Sequence, residues 1–244
     1  MRTTIGEADE DSITIRGRSL TDDVVGEMDF GSFVYLHLRG EEPTDAEAAM
    51  TNALLCTLVE HGMTPSAIAA RLTHGSAPDA LQGAVASGLL GVGSRFLGSM
   101  EDCAELLQDA APYRDVADAA DEAIAAADGR FPGLGHDLHV DGDPRADRLF
   151  ALADEHGVEG PHVPLLMAVR DELERRHDST LPVNATGAIA AVASDMGFDW
   201  RVTKIFPIVG RAAGLVGHVA EEMEEPMAGD IWDIVDDEVT YEGD

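Results

Sequence analysis

Positive charge is what this sequence has least of. Sixteen Lys+Arg stand against 47 Asp+Glu in 244 residues, a formal net charge of −31, and Lys204 is the sole lysine. A phosphate backbone repels such a chain, so nucleic-acid binding by counterion release is excluded. Cysteine is nearly as scarce. Cys56 and Cys103 stand apart, without the spacing of a metal site or a disulfide framework, and both are expected to be small core residues of Ala/Leu-rich helices. Long apolar runs are also missing. The most apolar stretch, 205–220, is roughly sixteen residues long, contains Arg211 and His218, and is too short and too polar to span a bilayer. The opening MRTTIGEADED has no signal-peptide pattern, so a soluble, cytoplasmic protein that engages no membrane is expected.

What is present argues for a folded domain. Hydrophobic residues make up 45% of the chain, too many for a solvated acidic tail, and the length suffices for one large domain or two modest lobes. So large a charge destabilises a compact state by self-repulsion. Screening tightens from roughly 8 Å at 0.15 M salt to about 3 Å at 1 M. The near-absence of lysine and the spread of acids along the chain therefore point to a halophile's interior, with solubility as the purpose of the charge, rather than to a docking surface for a basic partner.

The pattern along the chain is helical. Residues 12–17 alternate as a short strand or extended arm. Thr21 is placed to cap a turn carrying Asp22 and Asp23, and Phe30-Gly31-Ser32 opens a segment with Phe33, Tyr35, Leu36 and Leu38. Thr44 is an N-cap for a helix with Asp45 and Glu47 in its first turn. Further helices are expected over 67–72, 79–90, 99–111, 115–128, 144–156 and 163–177. The last long one covers 202–225 with a bend at Pro207, before an acidic tail with Trp232 and Tyr241. Asp143-Pro144 is an N-cap followed by proline at the first helical position, and Gly157 stops that helix. No succession of alternating strands appears, so the fold class is all-α apart from short arms.

Three polar groups strain a packing-only reading. His136 follows a Pro-Gly-Leu-Gly loop, where glycines permit close backbone approach to a ligand. Arg145 lies in the first turn of a helix, where the dipole favours an anion. Arg211 sits in the otherwise apolar run 208–215, where it must reach solvent or an anion. Each has an ordinary use: a loop cap for His136, a pair with Asp141 or Asp147 for Arg145, a surface acid for Arg211. Together they imply a polycarboxylate site with a histidine acting on a hydroxyl or carbonyl.

The order of motifs resembles the citrate synthase superfamily over nearly the whole chain. Ile15-Arg16-Gly17 through Gly40-Glu41-Glu42-Pro43-Thr44 is similar to its opening, and Glu60-His61-Gly62 with Ser66 and Arg71 to its "DHExxxS" segment. Pro132-Gly133-Leu134-Gly135-His136 and Asp143-Pro144-Arg145 resemble its "PGxGH…DPR" core, and 208–218 its "xxRxxGxxAH" helix. The run 88–96, through Ser94, Arg95 and Phe96, looks closer to the citryl-CoA-cleaving module of ATP-citrate lyase. With the short length, this reads as citryl-CoA lyase-like rather than as a full citrate synthase.

The resemblance implies an all-α homodimer with a large lobe (1–110 and 190–244), a small lobe (111–189) and the site between them. His136 would act on the C3 hydroxyl. His61, Arg145 and Arg211 would hold the carboxylates, and CoA would pass near Arg130, Pro132, Gly133, Leu134 and Gly135. No metal and no cofactor beyond the coenzyme A thioester substrate are implied. Two positions depart from the synthase pattern. Phe96-Leu97-Gly98 replaces a histidine before a Gly-Gly pair, and Asn184-Ala185-Thr186-Gly187 puts Thr186 where the family's proton-shuttling carboxylate stands. A hydroxyl is useless as a general base at its own pKa; its purely structural use would be a helix N-cap.

The expected chemistry is retro-Claisen cleavage of citryl-CoA to acetyl-CoA and oxaloacetate, with His136 accepting the hydroxyl proton and Thr186 relaying one to the enolate through water. The rivals are condensation of an acyl-CoA with a 2-oxo acid, and a non-catalytic CoA- or citrate-binding subunit. The Gly/Ala-rich segments 80–93 and 185–193 are the expected close-packed dimer faces.

Overall fold

Side chains placed just ahead of each helical run set where the helices begin. The computed structural model describes residues 1–93, 97, 99–112, 115–136 and 138–243. An N-terminal antiparallel arm of β1 (Gly6–Ala8), β2 (Ile13–Ile15) and β3 (Arg18–Ser19) leads into the helices. These are α1 (Phe30–Arg39), α2 (Asp45–Thr57), α3 (Pro65–Ser76), α4 (Leu81–Leu90), α5 (Ser99–Ala110), α6 (Val116–Ala126), α7 (Pro144–Glu155), α8 (His162–His177), α9 (Ala185–Asp195), α10 (Trp200–Thr203), α11 (Ile205–Glu224) and α12 (Ala228–Glu238). The all-α class holds. Ser94, Arg95, Phe96 and Gly98 lie outside the described residues.

The caps explain the boundaries. Thr44 and Glu47 form a reciprocal capping box: the Thr44 amide donates to Glu47 at 2.8 Å, and the Glu47 amide donates to the Thr44 hydroxyl at 3.3 Å. Asp143 caps α7 by accepting from the Arg145 amide, with Pro144 first in the helix. The turn expected to be capped by Thr21 is a single π-helical turn, Leu20–Val24, whose cap is Ser19. The bend expected at Pro207 is a break three residues earlier, between α10 and α11 at Lys204. Proline is thereby third in α11, where its missing N–H falls among donors that have no intrahelical partner anyway.

The backbone gathers into two units, Met1–Thr57 with Met100–Phe206, and Leu58–Ser99 with Pro207–Asp244. These boundaries differ from the lobes 1–110 with 190–244 and 111–189. The reason is α9, which packs against α2, α7, α8 and α10 and so ties 111–189 to the first 57 residues in one core.

In the first unit, Ala188 through Ala193 are completely buried. Segment 185–193 was expected as a dimer face; it is instead the interior of this unit, because alanine and glycine let neighbouring helices close on every side of α9. Tyr35, Phe198 and Phe206 stack edge to face beside it. Arg16 hooks the arm to the end of α1 through two bonds to the His37 carbonyl, at 2.6 and 2.9 Å. Cys103 is buried as expected, whereas Cys56 is exposed on the outer side of α2.

The second unit is built on α3, α4, α11 and α12. Ala70, Ala84, Leu215 and Val219 form its core, with Val85 and Leu89 packed against them. The acidic tail is helical over α12, which lies on α3 where Ala228 meets Gly75. Among the described residues no helix is long and apolar enough to cross a membrane.

Candidate active site

The glycine loop ahead of His136 is stitched to the start of α9. The Gly135 amide donates to the Pro182 carbonyl at 2.7 Å and the Asn184 amide to Gly133 at 3.0 Å, while Leu134 bridges Val183. Asn184 does double duty: its Nδ2 donates to the Gly135 carbonyl at 2.8 Å, and its Oδ1 accepts from the Gly187 amide at 3.1 Å. Asn184 is therefore the N-cap of α9, and Thr186, read as a cap on structural grounds alone, lies in the first turn beyond it. Gly133 (φ 86°) and Gly135 (φ 76°) take left-handed conformations that other residues resist. Arg130 folds back over the loop, its Nη2 3.5 Å from the Leu134 carbonyl.

This backbone fixes the orientation of His136. Its Nδ1 accepts from two amides, Leu138 at 3.0 Å and His139 at 3.1 Å. A ring nitrogen that accepts has no hydrogen of its own, so the ring hydrogen of the neutral imidazole sits on Nε2. Arg145 Nη2 stands 3.4 Å from that Nε2. The guanidinium and the imidazole edge thus adjoin, and an oxygen placed beside them is within reach of both.

Arg145 is itself held. Its Nε and Nη2 grip the Asp143 carboxylate at 2.9 and 2.8 Å in a two-pronged pair. Asp143, not Asp141 or Asp147, is the partner. The same carboxylate accepts from the Ala185 amide at 2.9 Å, so it clamps α7, α9 and the arginine together. Burial pushes the Asp143 pKa up, but the bonds from Arg145 and Ala185 outweigh it and hold the carboxyl at about 2.

The other two expected ligand-binding residues belong to the second unit. Arg211 is only 6% exposed, so it does not reach out to solvent. It shares one face of α11 with Gly214 and His218, three and seven residues on. A side chain at Gly214 would collide with the Val59 carbonyl, so glycine there lets the chain just before His61 lie against the helix. His61 follows on an exposed turn closed by Gly62 (φ 71°). One unit therefore brings His136, Arg145, Thr186 and the Arg130–Gly135 loop together; the other seats the His61 turn on the helix that carries Arg211.

Reading the sequence alone missed two residues that do the positioning: Asp143, treated only as a cap, and Asn184. The available signals were the Asp two residues before Arg145 and the Asn three residues before Gly187, both spacings at which a short polar side chain meets a helix's first amides.

Comparison with known proteins follows the same lines. Residues 9–232 match the family described as citrate synthase, C-terminal domain. A search of curated proteins gave no match. Among solved structures, the citryl-CoA lyase from Hydrogenobacter thermophilus is 37% identical with a TM-score of 0.90, covering 100% of this chain and 95% of that one. An ATP citrate lyase from Methanosaeta concilii in complex with (3S)-citryl-CoA is 20% identical (TM-score 0.77), and this chain, covered completely, spans 42% of it. A citrate synthase from Thermotoga maritima is 18% identical (TM-score 0.66), with 82% and 55% covered. The last two likenesses are of fold.

Proposed function

Because this chain belongs to the citrate synthase family, we propose that it is a citryl-CoA lyase-like enzyme, cleaving citryl-CoA to acetyl-CoA and oxaloacetate. The observation that carries this reading is the His136–Arg145 pair, whose Nε2 and Nη2 adjoin at 3.4 Å beside the glycine loop. Similarity along the whole length to a citryl-CoA lyase supports it.

The two amides at Nδ1 favour a donating role for His136 over the proton-accepting one expected from the sequence. With the Nδ1 lone pair engaged by two amides, Nε2 donates to the C3 oxygen of citryl-CoA instead of taking its proton. The C3 hydroxyl loses its proton to water, the C2–C3 bond breaks with its electron pair entering the thioester enolate, and the C3 oxygen becomes the ketone of oxaloacetate. Negative charge on that oxygen before cleavage is stabilised by His136 and Arg145; one such preorganised donor is worth about 10²–10³-fold in rate. His61, Arg145 and Arg211 hold the carboxylates, and the Arg130–Gly135 loop lies along the CoA. Thr186, on the first turn of α9, relays a proton to the enolate through water. Acid–base assistance is typically worth about 10²–10⁴-fold, so a hydroxyl in place of a carboxylate predicts slow turnover. The coenzyme A thioester is substrate, and the reaction needs no metal. The enzyme works as a cytoplasmic homodimer at high salt.

The test is release of oxaloacetate and acetyl-CoA from citryl-CoA by the protein folded in molar salt. A folded protein that cleaves no citryl-CoA overturns the reading. Oxaloacetate-dependent CoA release from acetyl-CoA that outpaces cleavage makes it a condensing enzyme instead.

A further inference from the structure

We propose that Glu60 is a positioning residue for His61, held in place by a chain of contacts that runs from Arg71 through His218. Every link lies in the second unit. Arg71, on α3, is 1% exposed. Its Nε is always a donor, and it points at His218 Nδ1 at 3.2 Å. The ring hydrogen of His218 is therefore on Nε2, which lies 3.0 Å from Glu60 Oε2, close enough for an electrostatic contact but not aligned as a hydrogen bond. The other oxygen, Oε1, accepts from the amides of His61 at 2.8 Å and Gly62 at 2.6 Å. The chain thus reads Arg71 to His218 to Glu60 to the backbone of the His61 turn, with hydrogen bonds at both ends and an electrostatic contact in the middle.

Arg71 is anchored well enough to serve as the root. It pairs with Glu221, and its Nη1 bonds Glu222 at 3.1 Å. Glu222 is buried and accepts from the Met227 and Ala228 amides at the start of α12. Burial tends to raise the Glu60 pKa, but contacts with His61, His218 and Gly62 lower it overall, in keeping with a carboxylate used as an acceptor. Such a chain orders an exposed turn closed by a left-handed glycine. A tether to a buried arginine supplies that order, and a misplacement of about 1 Å at such a group costs roughly 100-fold.

This inference rests on the reading of His61 as a substrate ligand, and the experiment separates the two. Glu60→Gln keeps an oxygen for the amides but turns an amide donor toward His218 Nε2–H; Glu60→Asp keeps the carboxylate. Citryl-CoA cleavage is measured for both, for His61→Ala, and for His61→Ala with Glu60→Gln, at molar salt with melting curves confirming the fold. The expected result is a 10- to 100-fold fall in kcat/KM for Glu60→Gln, mostly in KM, partial recovery in Glu60→Asp, and no further loss when Glu60→Gln is added to His61→Ala. An additive loss, or none, overturns the proposal. Amide hydrogen exchange at His61 and Gly62 needs no substrate: faster exchange in Glu60→Gln supports the tether, and unchanged exchange overturns it even in a protein that cleaves nothing. Inactive wild-type protein with the exchange effect intact refutes the substrate reading alone.

Discussion

Gly133 and Gly187 meet backbone to backbone: a Cβ on Gly133 would stand 2.7 Å from the Gly187 Cα and 2.9 Å from Cys103 Sγ. The contact seats the His136 loop on α9, and it leaves no room for a methyl group on either partner. Gly133→Ala adds a left-handed alanine to this clash. The expected loss is about 2–4 kcal/mol, from overpacking and backbone strain together, read as a fall in melting temperature at molar salt. A variant as stable as the wild type would mean that the loop and α9 are not in contact.

Asp143→Asn should weaken both fold and activity. Removing one partner of a buried pair leaves the Arg145 charge poorly compensated, a loss of about 3–5 kcal/mol. The pH dependence has a definite sign. The folded pKa of Asp143 is about 2, below its ordinary 3.8, so its contribution is complete above pH 4 and lost as the pH falls from 4 through 2. That contribution is about 2 kcal/mol. The difference in unfolding free energy between wild type and variant should shrink over this window, as measured by denaturant titration at each pH.

His136 variants separate a donor from a base. Glutamine offers an N–H at a similar reach but accepts no proton at neutral pH. If His136 donates to the C3 oxygen, His136→Gln retains more cleavage than His136→Ala, which should lose about 100-fold or more. Equal loss in both would restore the proton-accepting role.

Thr186 is tested in both directions. Thr186→Val should slow turnover by removing the hydroxyl relay. Thr186→Asp should speed enolate proton transfer, by up to about 100-fold, detected as exchange of the acetyl-CoA methyl hydrogens with deuterated solvent. An unaltered exchange rate in both variants removes Thr186 from the chemistry.

Salt should stabilise the chain. With a net charge of −31, unfolding midpoints should rise between 0.15 and 1 M KCl as the screening length falls from about 8 to 3 Å. A midpoint that fell over this range would argue against charge repulsion as the dominant salt effect. Sedimentation at molar salt reads the oligomeric state in the same buffer, and a 25.8 kDa species alone would refute the homodimer.

The sequence by itself determined the helical class, most helix starts and the residues offered for chemistry, because these are local matters. A cap acts on amides two or three residues away, a proline forbids a bond within one turn, and a Pro-Gly-Leu-Gly-His run cannot be helical. What only the tertiary structure decided involves partners far apart in the chain or choices among many equivalent ones. Nothing near Ala188 announces that α9 is enclosed on all sides, so a Gly/Ala face looks the same whether its own helices or another subunit cover it. Nothing near Arg145 selects Asp143 over Asp141 or Asp147. The proton-bearing nitrogen of His136 depends on where the Leu138 and His139 amides point, and the hold on His61 depends on Arg71 and His218 arriving from two other helices. Hydrogen bonds are directional and short, so the roles of these side chains were settled only once folding had fixed their neighbours.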